Sequence, residues 1–111
     1  MRAVIERHLP FTSASIEFVD SYPAMSPTRG NYALLSQLDG VSRDLGVGAV
    51  PALDPGERGA GDVSFIAPFV DSLDGLDARG SGTHTPDEMV DLESMAMLIK
   101  RTAVLLYRLT R

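Results

Sequence analysis

Residues 91–111, DLESMAMLIKRTAVLLYRLTR, carry the strongest helical pattern in the 111-residue chain. Apolar side chains recur there at intervals of three and four residues and so share one face of a helix: Met95, Leu98, Ile99, Leu105, Leu106 and Leu109. Asp91 stands where an N-cap is expected, and basic residues occupy the last turn. Met97, Ala103 and Val104 widen the apolar face. A helix of this kind needs cover on more than one side, so we expect part of that cover to come from elsewhere.

A second helix and several short strand-like segments precede this terminal helix. Leucine and valine at helical spacing predict a helix over residues 31–45. Apolar and polar residues alternate over residues 14–18, and short apolar runs at 49–53 and 73–76 also predict strands. A short helix is expected over residues 62–69. Helices that alternate with short strands are typical of layered packing, so we expect an α/β fold.

The amino-terminal region leads into a segment rich in helix breakers. Residues 4–9 predict a short amphipathic helix that ends at Pro10. Residues 20–30, DSYPAMSPTRG, contain two prolines and a glycine and are typical of a linker or crossover loop. We therefore place an internal boundary here, with residues 1–22 on one side and residues 23–111 on the other.

Composition excludes several classes of function. The net charge of −5 argues against nucleic-acid binding, which needs a basic face. The chain has no cysteine, so it forms no disulfide and has no thiol nucleophile. No apolar run approaches the roughly 18 residues of a membrane span. We expect a soluble protein, cytoplasmic or periplasmic; the first ten residues lack the apolar core of a secretory signal, so any export signal would lie outside this chain.

His84 is the first candidate site residue. It follows a predicted strand, between Gly82 and Pro86, in a glycine-rich loop. Sites in α/β proteins lie at the ends of strands, where an imidazole in a loop can reach a ligand. From these residues alone, a metal or catalytic role and an ordinary surface-loop histidine both stay open.

The glycine-rich loop at residues 58–65, RGAGDVSF, is the second candidate. Gly59 and Gly61 precede a short predicted helix, so backbone N–H groups there are able to face an anion. The alternative is a tight turn in which Asp62 caps the helix. The loop matches neither the Walker A pattern nor the dinucleotide-binding pattern of glycines.

The remaining polar residues do not form a hydrolytic centre. His8 is expected at the protein surface, and no serine lies in a nucleophile-elbow context. Metal-assisted amide cleavage needs three or more protein ligands around zinc, or a bridged metal pair, together with a general base. Two histidines without an H-x-D or HExxH pattern do not supply that set.

The order of these motifs resembles the carboxy-terminal end of one enzyme family. The motifs are GAGDVSFIAPF at residues 59–69, DGL at 74–76 and GSGTHTPDEMVDL at 80–92, followed by the long terminal helix. Together they resemble the zinc exopeptidases that include glutamate carboxypeptidase, aminoacylase and succinyl-diaminopimelate desuccinylase. The resemblance covers nearly all of the 111 residues.

The resemblance implies roles for individual residues. His84 corresponds to the histidine that binds one of the two zinc ions. Gly59, Gly61 and Asp62 match the segment that lines the substrate pocket, and Glu88 matches an acidic residue with a supporting role. Residues 1–22 resemble the tail of the lid domain that carries dimer contacts. Residues 23–111 resemble the carboxy-terminal portion of the catalytic domain, an incomplete layered α/β unit.

The sequence also lacks features of this family, and their absence restricts the function that we expect. Family members are much longer, and their H-x-D pair, bridging aspartate and general-base glutamate have no counterpart here. We expect a carboxy-terminal fragment of a zinc-dependent carboxypeptidase or deacylase, inactive alone and without tightly bound zinc. Its partner is expected to be a second copy, in a homo-oligomer, or a complementary amino-terminal chain. Two alternatives stay open: a non-catalytic, self-associating structural or interaction module, and a small anion-binding module that uses residues 59–62.

Overall fold

The structure is a computed structural model that describes residues 2–57 and 61–111. The described elements are three helices, α1 (Arg2–Ile5), α2 (Arg29–Asp44) and α3 (Leu92–Leu109), and two strands, β1 (Gly80–Ser81) and β2 (Met89–Val90). Single turns of 3-10 helix lie at Pro55–Glu57 and Asp62–Phe65. The strands form an antiparallel pair in which Gly80 lies opposite Val90.

The predicted α/β fold class is wrong. The structure is mostly helical, and its described residues form one two-stranded antiparallel sheet with no layered α/β unit. Residues 14–18, 49–53 and 73–76 lie outside strands, although their sequence patterns predict strands. An alternation of apolar and polar residues shows which side chains share one face of a strand, but it does not supply the neighbouring strand. A segment without a neighbouring strand has no partner for the backbone hydrogen bonds of a sheet. Gly75 also adopts φ +72°, which interrupts the third segment.

Helix α2 confirms the helix predicted over residues 31–45. The Thr28 hydroxyl caps its first turn by accepting a hydrogen bond from the Asn31 backbone N–H at 3.1 Å. Gly46 lies just beyond the helix at φ +72°, in the left-handed region that glycine enters without strain. Its N–H donates to the Arg43 carbonyl at 2.9 Å. The local sequence therefore determines both ends of α2.

Helix α3 confirms the prediction for the last helix, including its N-cap. The Asp91 carboxylate accepts hydrogen bonds from the backbone N–H groups of Glu93 at 3.0 Å and Ser94 at 3.3 Å. Two of the N–H groups that lack a partner within the helix are thereby satisfied, and the negative charge lies at the positive end of the helix dipole. The 62–69 helix is shorter than predicted, because only Asp62–Phe65 form a helical turn.

The core lies between α2 and α3 and is small. Leu38, Val41 and Leu105 are at most 3% exposed and contact one another. Partly buried side chains surround them: Leu35, Leu45, Val50, Leu73, Leu76 and Val104. An exposed ion pair of 2.7 Å between Arg108 and Asp44 also joins the two helices. None of the helices described is both long and apolar enough to cross a membrane.

The molecule is open and elongated. Its radius of gyration is 19.6 Å and its extents are 65 × 35 × 20 Å, whereas a compact domain of this length has a radius of gyration of about 13 Å. The accessible surface is 9031 Å², against about 6,000 Å² for a compact protein of the same mass. Much of the apolar face of α3 stays uncovered, with Ile99 and Leu106 more than half exposed.

Candidate functional site

His84 lies in the turn that joins β1 to β2. The turn is closed by hydrogen bonds to the Gly82 carbonyl from the Thr85 backbone N–H at 3.0 Å and from the Thr85 hydroxyl at 2.6 Å. At its base, the Asp91 N–H donates to the Arg79 carbonyl at 2.7 Å. These bonds hold the backbone of residues 79–91 in a defined hairpin.

The backbone of His84 is strained. Its φ of +65° lies in the left-handed region, which costs a residue with a Cβ atom on the order of 1–3 kcal/mol. Gly82 before it has φ +69°, and a Cβ atom at this glycine would lie 2.8 Å from the Asp87 carbonyl oxygen. The turn therefore requires glycine at position 82 and accepts strain at position 84. Strain of this kind is concentrated at ligand sites, although it does not identify the ligand.

The His84 side chain is exposed, and no described residue is a hydrogen-bond partner of its ring. Residues 2–57 and 61–111 contain no group of three histidine, cysteine or acidic side chains positioned to hold a metal ion. A catalytic zinc ion needs three protein ligands. One imidazole does not meet that requirement, so the described donor set does not fit a tightly bound zinc ion without ligands from elsewhere.

Gly61 and Asp62 begin a different structural unit, the 3-10 turn at Asp62–Phe65. The buried Ser64 fixes this turn, because its hydroxyl donates to the Gly61 carbonyl at 2.6 Å. A Cβ atom at Gly61 would lie 2.7 Å from a carboxylate oxygen of Asp74, so glycine permits close approach of that side chain. Gly59, the third predicted substrate-binding residue, lies outside the described residues.

The side chain of Asp62 contacts Tyr22. The Tyr22 hydroxyl donates a hydrogen bond of 3.1 Å to the Asp62 carboxylate, and the Tyr22 ring lies edge-on to Phe65 with centroids 5.2 Å apart. The hydrogen bond, with the negative charge of Asp62 as the second cause, raises the pKa of Tyr22 above its ordinary value. A carboxylate at this position repels a substrate carboxylate, which weakens the anion-binding interpretation of the loop.

The two predicted parts of the site are not joined. No hydrogen bond among the described residues links His84 to Gly61 or Asp62. Glu88, the predicted supporting residue, is exposed near the end of the same turn as His84. The structure therefore presents His84 and the 61–65 turn as separate surface features.

The described residues also form an open groove of about 490 Å³ that the sequence did not predict. Its lining includes apolar residues Leu35, Val50 and Leu73, and one cation, Arg101. Arg101 is only 6% exposed, and its Nε atom is buried without a hydrogen-bond partner. The sequence contains a sign that Arg101 is buried. Arg101 lies three residues after Leu98 and four before Leu105, so all three share the buried stripe of α3.

Comparisons of this chain with protein-family models, with curated proteins and with solved structures found no match.

Proposed function

We propose that this chain supplies the carboxy-terminal part of a zinc-dependent carboxypeptidase or deacylase, an enzyme that hydrolyses amide bonds, with His84 as one zinc ligand. The observation that carries the proposal is the geometry of His84. Its imidazole is exposed at a closed turn, its backbone is held at φ +65°, and no described group uses its ring nitrogens. The ordered motifs around residues 59–69 and 80–92 support the same function.

The remaining zinc ligands and the general base come from outside these 111 residues. A single histidine binds zinc weakly, since structural and catalytic sites use three or four protein ligands. The chain alone is therefore not expected to hydrolyse amides. Gly61, with Gly59, lines the substrate pocket in this proposal, while Asp62 holds Tyr22 and positions the turn.

The surface of the chain supports a role as one part of a larger unit. The accessible area of 9031 Å² exceeds that of a compact protein of this mass by about 3,000 Å². Apolar side chains on α3 such as Ile99 and Leu106 are among those exposed. Exposed apolar side chains of this kind support contact with another polypeptide.

Reconstitution tests the proposal. The chain is mixed with an amino-terminal polypeptide that carries the H-x-D pair, bridging aspartate and general-base glutamate of the resembling family. Zinc is added, and hydrolysis of N-acyl amino acids and of peptides with a carboxy-terminal glutamate is measured. The wild-type chain and His84→Ala are compared with a matched control, His8→Ala, which removes the other exposed histidine.

We expect zinc-dependent hydrolysis with the wild-type chain and with His8→Ala, and a loss of about 100-fold or more with His84→Ala, as when a metal ligand is removed. Equal activity of the two histidine variants contradicts the proposal, as does the absence of hydrolysis with every chain when the two polypeptides form a stable complex.

The second candidate is a non-catalytic module that associates with itself. The observation that favours this second candidate is the uncovered apolar surface. A second copy of the chain is able to cover that surface, just as a different polypeptide is. This candidate predicts association without zinc and no dependence on His84. Measuring association of the chain with and without a chelator distinguishes it from the first proposal.

A further inference from the structure

Helix α3 has a second apolar face that the core does not use. The face towards α2 contains the buried residues of the helix: Ser94, Leu98, Arg101 and Leu105. A different set of residues also recurs at alternating intervals of three and four: Leu92, Met95, Ile99, Thr102, Leu106 and Leu109. All of this second set are exposed except Thr102, which is partly buried. We call the second set the outer seam of α3.

The spacing of the outer seam is that of a helix in a coiled coil. The seam consists of two interleaved sets whose members lie seven positions apart: Leu92, Ile99 and Leu106, and Met95, Thr102 and Leu109. A repeat of this kind packs against another helix, with the side chains of one helix between those of the other. At 3.6 residues per turn, the outer seam lies about 100° around the helix axis from the buried face. Helix α3 is therefore able to contact α2 and another helix at the same time.

An apolar groove of about 400 Å³ follows the outer seam. Met95, Ile99 and Leu106 line it together with residues 76–78. Among the described residues that line this groove, Asp77 alone is charged, so the groove suits an apolar occupant. Helix α3 is already held by its packing on α2, so a partner on the outer seam does not have to order a new helix in this chain.

We propose that the outer seam of α3 binds the outer seam of a second copy of this chain, with the two helices antiparallel about a two-fold axis. Each seam residue then has a counterpart on the other helix: Leu92 with Leu109, Met95 with Leu106, and Ile99 with Thr102. The inference is independent of the proposed zinc function, because His84 lies outside the seam. It rests on the self-association of the second candidate, and it assigns that association a surface and an orientation.

The charges at the two ends of α3 favour an antiparallel second copy as the occupant. Asp91 and Glu93 make the beginning of the helix acidic, whereas Arg108 and Arg111 make its end basic. Arg108 already pairs with Asp44 of its own chain, but none of the ion pairs among the described residues includes Arg111. An antiparallel pair places the acidic end of each helix beside the basic end of the other and opposes the two helix dipoles. A parallel pair brings like charges together at both ends.

The first test is the dimer dissociation constant of the full chain, measured by analytical ultracentrifugation. Leu106→Gln places an amide in the seam, where burial removes its hydration, and Ile99→Ala shortens a side chain near the two-fold axis. Tyr107→Gln is the matched control, because Tyr107 is as exposed as Leu106 and lies on the same helix outside the seam. Circular dichroism checks that each variant keeps its helices. All three replaced side chains are exposed, so the core between α2 and α3 is unchanged.

The second test determines the orientation of the two helices. The chain has no cysteine, so an introduced one reports on its own position. Chains with Leu92→Cys and chains with Leu109→Cys are oxidised separately and as an equimolar mixture. In an antiparallel dimer the two positions lie together, so a disulfide forms only between the two different chains. In a parallel dimer each variant forms a disulfide with itself.

We expect Leu106→Gln to weaken the dimer about 10-fold or more, Ile99→Ala about 5-fold or more, and Tyr107→Gln less than about 2-fold. We also expect disulfide-linked dimers in the mixture and not in either cysteine variant alone. A dimer that Leu106→Gln and Tyr107→Gln affect equally overturns this inference alone, since self-association then uses another surface. Disulfide-linked dimers of a single cysteine variant overturn the antiparallel arrangement. A wild-type chain that stays monomeric at about 100 μM overturns both this inference and the second candidate.

Discussion

The Tyr22 hydroxyl donates a hydrogen bond of 3.1 Å to the Asp62 carboxylate, 40 residues further along the chain. Edge-on contact between the rings of Tyr22 and Phe65 reinforces this connection. Together they fasten the segment before α2 to the turn at Asp62–Phe65, in which the sequence predicts part of a substrate pocket. The boundary placed at residues 22 and 23 therefore falls at a point of tertiary contact.

The contact between Tyr22 and Asp62 predicts a titration effect. The hydrogen bond and the nearby negative charge raise the pKa of Tyr22, so its phenol form is favoured and the contact is lost as pH rises through that raised pKa. Asp62→Asn is expected to lower the pKa of Tyr22 towards the ordinary value of about 10. The measurement is ultraviolet absorbance of tyrosinate against pH, with Tyr22→Phe to identify the signal.

Asp54→Asn is the matched control for this titration, because the Asp54 carboxylate accepts a hydrogen bond from its own turn at Gly56 and none from a tyrosine. This control is expected to leave the Tyr22 titration unchanged. An Asp62→Asn chain with the same tyrosine titration as wild type contradicts the described contact.

The N-cap of α3 predicts a loss of stability when Asp91 is replaced. Asp91→Ala removes the acceptor for the N–H groups of Glu93 and Ser94, and is expected to lower the free energy of unfolding by about 0.5–2 kcal/mol. Asp87→Ala is the control, since this nearby acidic side chain caps no helix. Urea unfolding followed by circular dichroism measures both. Equal stability of the two variants means that Asp91 does not act as the cap.

Replacing either of two adjacent leucines on α3 with alanine is expected to change the free energy of unfolding by different amounts. Leu105 is 3% exposed and Leu106 is 57% exposed. Leu105→Ala is expected to lower the free energy of unfolding by about 2–5 kcal/mol, because it leaves a cavity in the small core between α2 and α3. Leu106→Ala is expected to change it by less than about 0.5 kcal/mol in dilute solution. A comparable loss in both variants indicates that both side chains are buried.

The left-handed backbone of His84 predicts a stabilising substitution. His84→Gly removes strain at φ +65°, which outweighs the added entropy of glycine in the unfolded chain. We expect the free energy of unfolding to rise by about 0.5–1 kcal/mol, whereas His84→Ala leaves the strain in place. Thermal unfolding of the two variants measures the difference. If His84→Gly is less stable than His84→Ala, the turn is not strained at this position.

Local signals in the sequence were enough for the two long helices, α2 and α3. Thr28 and Gly46 bound α2, and Asp91 starts α3, because caps act within one turn of the chain. The strand predictions failed for the opposite reason. Residues 49–53 and 73–76 have strand-like composition, but a strand needs a neighbour, and the pattern of one segment does not contain that neighbour.

The candidate site was predictable only in part. The glycines around His84 predict a loop at this position, and the structure has a turn there, whereas the metal-binding role of His84 stays a prediction. The groove has no counterpart among the predictions from sequence, although Arg101 lies on the buried stripe of α3 that contains Leu98 and Leu105. Tyr22 was assigned to a linker, since its partner Asp62 lies far away in the sequence.

The zinc content of the reconstituted complex tests the central claim most directly, because it measures coordination without depending on the substrate. The chain and the amino-terminal polypeptide are combined, loaded with zinc, dialysed and analysed by mass spectrometry for metal. We expect about two zinc ions per complex with the wild-type chain and with His8→Ala, and the loss of about one with His84→Ala. Equal zinc retention by the wild-type and His84→Ala complexes would contradict the assignment of His84 as a ligand.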